Sequence, residues 1–369
     1  MTSIPPAQPA TAAKPPDNGN GEKTPRLGSR LVKAVLTQRE VLLVILTLVV
    51  LIWMTTLSYG GYLTGPYNPD YLSAALVDAV PLTLLALAEL LVIVSGRGGI
   101  DLSIGAVVSL TGMAFGFAYA EWAWPLLLAI PFAVLVGALL GAVNGVLIAW
   151  LEFPALITTL ATYYAFKSLA LVINAQQPIS TPEIQNLYSL TSSVEIPLIG
   201  QNIPDVPLGV FTFLVPAVVA VWLLLQRTTY GRRLFAIGTN DVAAKWSGVP
   251  VAGTRMRAYI FAGVLAGLVA VYTTGQFASA RPDAGTSGNG LALPAITIAV
   301  LGGVAITGGI GRVSGVLLAA LLITWLNAGI LLLFEGNQGT QLQLLALGAV
   351  LIFAALLNSY TTRKYGGTR

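Results

Sequence analysis

Residues 74–105 read AALVDAVPLTLLALAELLVIVSGRGGIDLSIG. The stretch 74–94 is almost wholly apolar, and about 20 such residues suffice to cross the hydrocarbon core of a bilayer. Three glycines and an aspartate then interrupt the run at 95–101, and apolar sequence resumes at Leu102. Glycine permits backbone that a spanning helix does not hold, and Asp101 is suited to cap a helix starting at Leu102. Two readings follow. The break is either an ordinary short cytoplasmic turn or irregular backbone at membrane depth. The second survives only where it is buried in protein or lines a wet cavity, and a helix N-terminus there offers free N–H groups to a polar ligand.

The rest of the chain repeats this texture. Of 369 residues, 56% are hydrophobic and 9% charged, against roughly 25% charged in soluble proteins. The expected fold is all-α and polytopic, with about ten transmembrane helices and short broken or re-entrant segments. Spans are expected at 41–59, 74–94, 102–120, 125–150, 154–174, 208–226, 258–278, 291–307, 313–334 and 341–358. The chain has no Cys and no His, which excludes disulfides, thiolate chemistry, imidazole catalysis and most zinc or copper sites. Residues 1–39 are Pro-rich and cannot bury enough apolar surface to offset their ordering entropy. They read as a cytoplasmic tail, in which 27–39 (LGSRLVKAVLTQR) suits a basic amphipathic helix at the membrane surface. The transmembrane domain is expected over 40–359 and a short cytoplasmic tail over 360–369.

Basic residues orient the bundle. With both ends in the cytoplasm, 17 of the 19 Lys and Arg fall on the inner side. Arg281 alone falls outside, and Lys167 lies within a span. The outer segment 175–207 has no Lys or Arg at all. Small residues at four-residue spacing, Gly112/Gly116, Gly137/Gly141/Gly145, Gly263/Gly267 and Gly311/Gly315, read as close helix packing.

A second glycine-rich stretch, LGGVAITGGIGRVSG at 301–315, again sits at the cytoplasmic end of a span. It places Gly302, Gly303, Gly308, Gly309 and Gly311 opposite the first break in an imperfect internal likeness. Paired interruptions of this kind point to a transport pathway. A third stretch, the basic segment 227–257, holds a short helix signature. Asn240 is a good N-cap, Asp241 suits the first turn, Ala243, Ala244 and Ser247 continue it, Gly248 fits C′ and Pro250 bars extension. So short a helix is unstable alone and needs a surface to lean on, either a cytoplasmic partner or the membrane domain's inner face.

GGIDLSIG, GTNDVAAKWSGV and LPAITIAVLGGVAITGGIGRVSG together, in this order, resemble the permease family of ribose-type ABC importers, which includes monosaccharide and autoinducer-2 permeases. The resemblance covers about residues 41–358. It implies a multi-pass protein of the bacterial inner membrane that pairs with a second permease copy or paralogue. It also implies a cytoplasmic ATPase, which would bind the ATP and Mg, and a periplasmic substrate-binding protein. No cofactor bound by this chain and no nucleic-acid partner is expected. Residues 240–248 would be the coupling helix that docks in the ATPase. Gly98, Gly99, Asp101 and Ser103 would sit on the broken helix beside the translocation path. Arg97, a charge directly before the Gly pair, and the Pro-rich tail depart from the family pattern.

Three charges lie inside spans: Asp78, Glu89 and Lys167. At 1.5 Å per residue, Lys167 lies about 20 Å from the inner end of its span, Asp78 about 24 Å and Glu89 about 7 Å. Buried charges in lipid pair, and the common depth predicts a Lys167–Asp78 ion pair. In the outer segment, Thr181 and Pro182 read as the N-cap and first residue of a short helix. Tyr163, Tyr164, Gln276, Phe277 and Asn327 are of the type that sugar recognition uses. No GxxxxGK[ST] phosphate loop occurs, so the energy for transport would come from a partner. The competing reading is an ion-coupled secondary transporter or facilitator using Asp78, Glu89 or Lys167. A membrane enzyme finds little support, since the carboxylates are scattered.

Overall fold

The computed structural model describes residues 38–194, 204–287, 290–334 and 336–365. The expectations for the Pro-rich tail and its surface helix fall outside these residues except at Gln38 and Arg39. The first crossing is α1 (Arg39–Tyr59); α2 (Pro69–Ala74) and α3 (Leu76–Val94) make the second. Then come α4 (Ile104–Gly116), continued by a π turn at Phe117–Glu121, α5 (Leu126–Ala149) and α6 (Ala155–Val172). The outer segment holds α7 (Pro182–Asn186) and two short antiparallel strands, β1 (Ser193–Val194) and β2 (Val206–Pro207). As expected, Thr181 is the N-cap of α7 and Pro182 its first residue. The chain returns through α8 (Val215–Arg227), reached by a π turn at Val210–Leu214. On the inner side lie α9 (Thr229–Thr239) and α10 (Asp241–Trp246). The last crossings are α11 (Val251–Gln276), α12 (Ala292–Leu301), α13 (Val313–Leu333) and α14 (Asn337–Tyr365).

Among the described residues, nine helical segments are long and apolar enough to cross a membrane. The tenth expected span, 291–307, is corrected: only the ten residues Ala292–Leu301 are helical. That is about 15 Å of helix, half the hydrocarbon thickness of about 30 Å. Gly302 and Gly303 end it, the latter at φ +91°. The Gly302 N–H donates to the Ile298 carbonyl at 2.8 Å and the Val304 N–H to that of Ala299 at 3.1 Å, so the last carbonyls are satisfied inside the protein. The inner segment 227–257 is also more ordered than a loop. Thr228 caps α9 by accepting from the Gly231 N–H at 3.2 Å. Helix α11 begins at Val251, directly after Pro250, whose missing N–H costs nothing at a helix start.

Burial divides the helices into an inner and an outer set. In their most apolar stretches the α2–α3 crossing is 83% buried and α11 78%, against 17% for α1 and 11% for α14. The centre is reached by glycines. A Cβ at Gly137 would collide with the Gly263 carbonyl, and one at Gly141 with the Tyr259 carbonyl. Helices α5 and α11 therefore touch backbone to backbone, as the four-residue spacing predicts. The outer turn after α4 carries Trp122 and Trp124, which cluster with Phe132 at ring-centroid distances of 6.2 and 5.3 Å. Aromatic residues commonly sit at such a membrane–water boundary.

Candidate coupling and gating site

The break after α3 is built from consecutive left-handed residues: Gly96 at φ +79°, Arg97 at +57° and Gly98 at +65°. For arginine this conformation costs roughly 1–2 kcal/mol, so something must hold it. Arg97 Nε lies 3.0 Å from Asp241 Oδ2. The same Asp241 oxygen is 3.5 Å from Nη2 of Arg255, and Arg255 Nη2 also donates to the Ser95 carbonyl at 3.2 Å. Arg255 is only 2% exposed. One carboxylate on α10 thus joins the break to the start of α11.

Below the break a polar cluster is closed off from solvent. The Asp101 N–H donates to Glu89 Oε2 at 3.3 Å. Asp101 Oδ1 accepts from the Ser103 N–H at 2.9 Å and from its hydroxyl at 2.6 Å. The expected cap is corrected: Asp101 closes a turn ahead of the helix, while α4 starts two residues later, at Ile104, with Ser103 as its N-cap and no side chain bonded to its first turn. Asn144, brought in on α5, donates to Ser103 Oγ at 2.8 Å and accepts from Thr162 at 2.7 Å. Thr159 donates to the Ile100 carbonyl at 3.1 Å. Glu89 and Asn144 are fully buried. Glu89 Oε1 and the Tyr259 hydroxyl have no hydrogen-bond partner among the described residues.

The two glycine-rich stretches meet each other. The Gly309 N–H donates to the Val94 carbonyl at 3.0 Å. A Cβ on Gly308 would stand 2.5 Å from the Gly96 Cα, and one on Gly238 would collide with the Val94 carbonyl and Gly309. Gly238 closes α9, so the last turn of an inner helix is wedged between both breaks. The remaining predicted glycines serve the walls. Gly99 presses on the Val92 carbonyl and Gly311 on Leu90, Gly302 on α13 at Val316 and Gly303 on the Arg39 side chain. Gly98 faces open space.

Helix α10 is formed as its sequence prescribes. Asn240 Oδ1 accepts from the Ala243 N–H at 2.9 Å, Ser247 is the C-cap and Gly248 adopts φ +80°. Ala244 is buried against the domain, while Val242 is 62% and Trp246 88% exposed. A cavity of about 800 Å³ runs beside it, lined by Arg97, Trp150, Asp241, Trp246 and Arg255 among others.

The Lys167–Asp78 ion pair is not formed. Lys167 Nζ instead lies 3.4 Å from the Tyr163 hydroxyl, and Asp78 Oδ1 accepts from Gln276 at 2.8 Å. Equal depth along two helices sets height but not the direction each side chain faces. Gly238 and Arg255 are the site residues that motif reading passes over, the one a glycine inside a helix turn and the other an arginine in a basic segment; Arg97 stands out in the sequence only as a departure from the family pattern.

A family model described as the branched-chain amino acid transport system / permease component matches residues 71–355. The chain belongs to that family. It is similar to the autoinducer 2 import system permease protein LsrD of Enterobacter sp. (strain 638), at 33% identity over 79% of this chain and 86% of the relative. The protein of the same name in Yersinia pseudotuberculosis serotype O:3 (strain YPIII) is 32% identical over 87% of this chain and 92% of its own length. No solved structure matches. The resemblance to ribose- and autoinducer-2-type permeases holds over most of the length. This is a transport subunit of an ABC importer, a multi-pass protein of the bacterial cytoplasmic membrane.

Proposed function

We propose that the permease forms half of the pathway of an importer for a small, neutral, sugar-like molecule, with a separate ATPase docked on α10. In this reading residues 40–359 are the translocation domain and 360–369 a cytoplasmic tail. The 175–207 segment faces a periplasmic binding protein, and a second permease copy or paralogue completes the channel. ATP and Mg are held by the ATPase. The observation that carries the reading is the Asp241 carboxylate, which ties the exposed α10 to Arg97 on the glycine break. Closure of the ATPase would push α10 and α9. The Arg97–Asp241–Arg255 contacts and the Gly238 wedge would pass that displacement to both interrupted segments, opening the inner end. The names of the relatives favour a sugar-like cargo over a branched-chain amino acid.

Reconstitution tests this. Vesicles holding the permease, its ATPase and its binding protein should accumulate substrate only when ATP is supplied. The buried Glu89 and Asp101 favour a second reading, ion-coupled transport. Uptake that persists without ATP and follows a proton or sodium gradient would establish it and sink the first.

A further inference from the structure

A cavity of about 490 Å³ opens at the other end of the bundle from α10, where α2 leads into α3, α11 ends and α13 approaches α14. The chain direction places it on the outer side. Its volume lies within the roughly 300–1,000 Å³ of small-molecule sites.

One wall is polar. Asp78 Oδ1 is held by Gln276 at 2.8 Å. The Asn327 side-chain amide makes no hydrogen bond among the described residues, although its backbone carbonyl accepts from Gln343. The Thr324 hydroxyl is buried in the wall with no hydrogen-bond partner among the described residues. Aromatic faces from Tyr71 and Phe277 line the same space, and the Tyr71 ring is fixed by its hydroxyl on the Ala328 carbonyl at 3.0 Å. Carboxylate and amide groups match the paired donor and acceptor character of hydroxyls, and aromatic rings match the C–H faces of a sugar ring.

Charge narrows the ligand further. Among the described residues, no Lys or Arg lines the cavity. Arg281 rests over the Phe277 ring at 5.1 Å but is paired with Asp283 at 3.3 Å. A zwitterionic amino acid would set its ammonium on Asp78, but among the described residues no free cation stands ready for its carboxylate, and desolvating that unpaired charge selects against the ligand.

We propose that this cavity is a substrate site of the permease itself, suited to a neutral polyhydroxylated molecule of monosaccharide size, with a described wall that offers no cation to an amino acid's carboxylate. The assignment rests on the importer reading above and adds the place and the chemistry. Because the chain contains no Cys, a single introduced thiol reports on the cavity without background. Ala74→Cys is the first probe, and Leu331→Cys the second should the first disturb the fold. Each is placed in the full chain in right-side-out vesicles and exposed to a membrane-impermeant maleimide. Both should label from the outer face. A panel of D-ribose, D-xylose and D-glucose should contain at least one sugar that slows labelling severalfold, while L-leucine leaves the rate unchanged. Asp78→Asn, added to each cysteine variant and compared with that double variant's own unprotected rate, should weaken the protection severalfold. Absence of labelling at both positions, no protection by any sugar, or protection by leucine would each overturn the assignment. ATP-driven uptake remains the separate test of the importer reading, so a cavity that fails while uptake holds condemns the cavity alone.

Discussion

Arg97 Nε and Asp241 Oδ2 stand 3.0 Å apart, joining a left-handed arginine in the first glycine break to the first residue of the capped inner helix α10. Arg97 is half exposed, so the pair adds only about 0.2–1 kcal/mol to stability. Its importance is as a link. Arg97→Ala should leave the folded protein and basal ATP hydrolysis of the assembled importer nearly intact. Transport per ATP should fall by about an order of magnitude, the equivalent of 1.4 kcal/mol of lost coupling. The charge-reversed pair Arg97→Asp with Asp241→Arg should recover part of it. Equal loss of hydrolysis and transport would point to a docking defect instead.

Asp241→Ala differs from Arg97→Ala because Arg255 is almost fully buried behind it. Removing one partner of a buried ion pair costs up to about 3–5 kcal/mol, less here because Asp241 is partly exposed and Ser95 still accepts from Arg255. A thermal-unfolding series in detergent should therefore rank Asp241→Ala well below Arg97→Ala. A second change, Arg255→Met, should restore part of the stability by removing the stranded cation.

Gly238→Ala should abolish transport. The added methyl collides with the Val94 carbonyl and the Gly309 backbone, forcing α9 away from both breaks. Gly348→Ala, which meets nothing within 4 Å, is the control and should be neutral. Transport rates beside amounts of membrane-inserted protein separate the two, and a fully active Gly238→Ala protein would refute the wedge.

Asn144→Ala removes the donor to Ser103 and the acceptor for Thr162. The loss should be about 1–3 kcal/mol, the cost of leaving buried groups unsatisfied. Asn144→Asp should be worse at neutral pH, because a third carboxylate would join Asp101 and Glu89 in a closed site. Denaturant titration of the purified variants reads both, and an Asn144→Asp protein as stable as the parent would show that the cluster is wetter than its burial indicates.

Trp246 and Val242 project from α10 into open space. Trp246→Asp should reduce co-purification of the ATPase at least tenfold while the unfolding temperature stays put, since Trp246 is 88% exposed. Retention of the ATPase by this variant would move the docking surface elsewhere.

The α10 helix was fully legible in the sequence, because every group that makes it lies within eleven residues: Asn240 caps, Gly248 turns left-handed and Pro250 stops it. Most of the spans were legible for a similar reason, as the bilayer imposes a length rule on each segment separately. The short α12 was only half legible. Its glycines were visible, yet a ten-residue helix whose Ile298 and Ala299 carbonyls accept from the Gly302 and Val304 N–H groups needs the surrounding protein to replace water. What faces what belonged to the tertiary structure alone. Depth arithmetic put Lys167 level with Asp78, but rotation about each helix axis sent Asp78 to Gln276 and Lys167 to Tyr163. The meeting of Gly96, Gly238, Gly308 and Gly309, and the bond from Arg97 to Asp241, join residues far apart in the chain. Local rules cannot specify such contacts, because they depend on how the close-packed inner helices seat against one another.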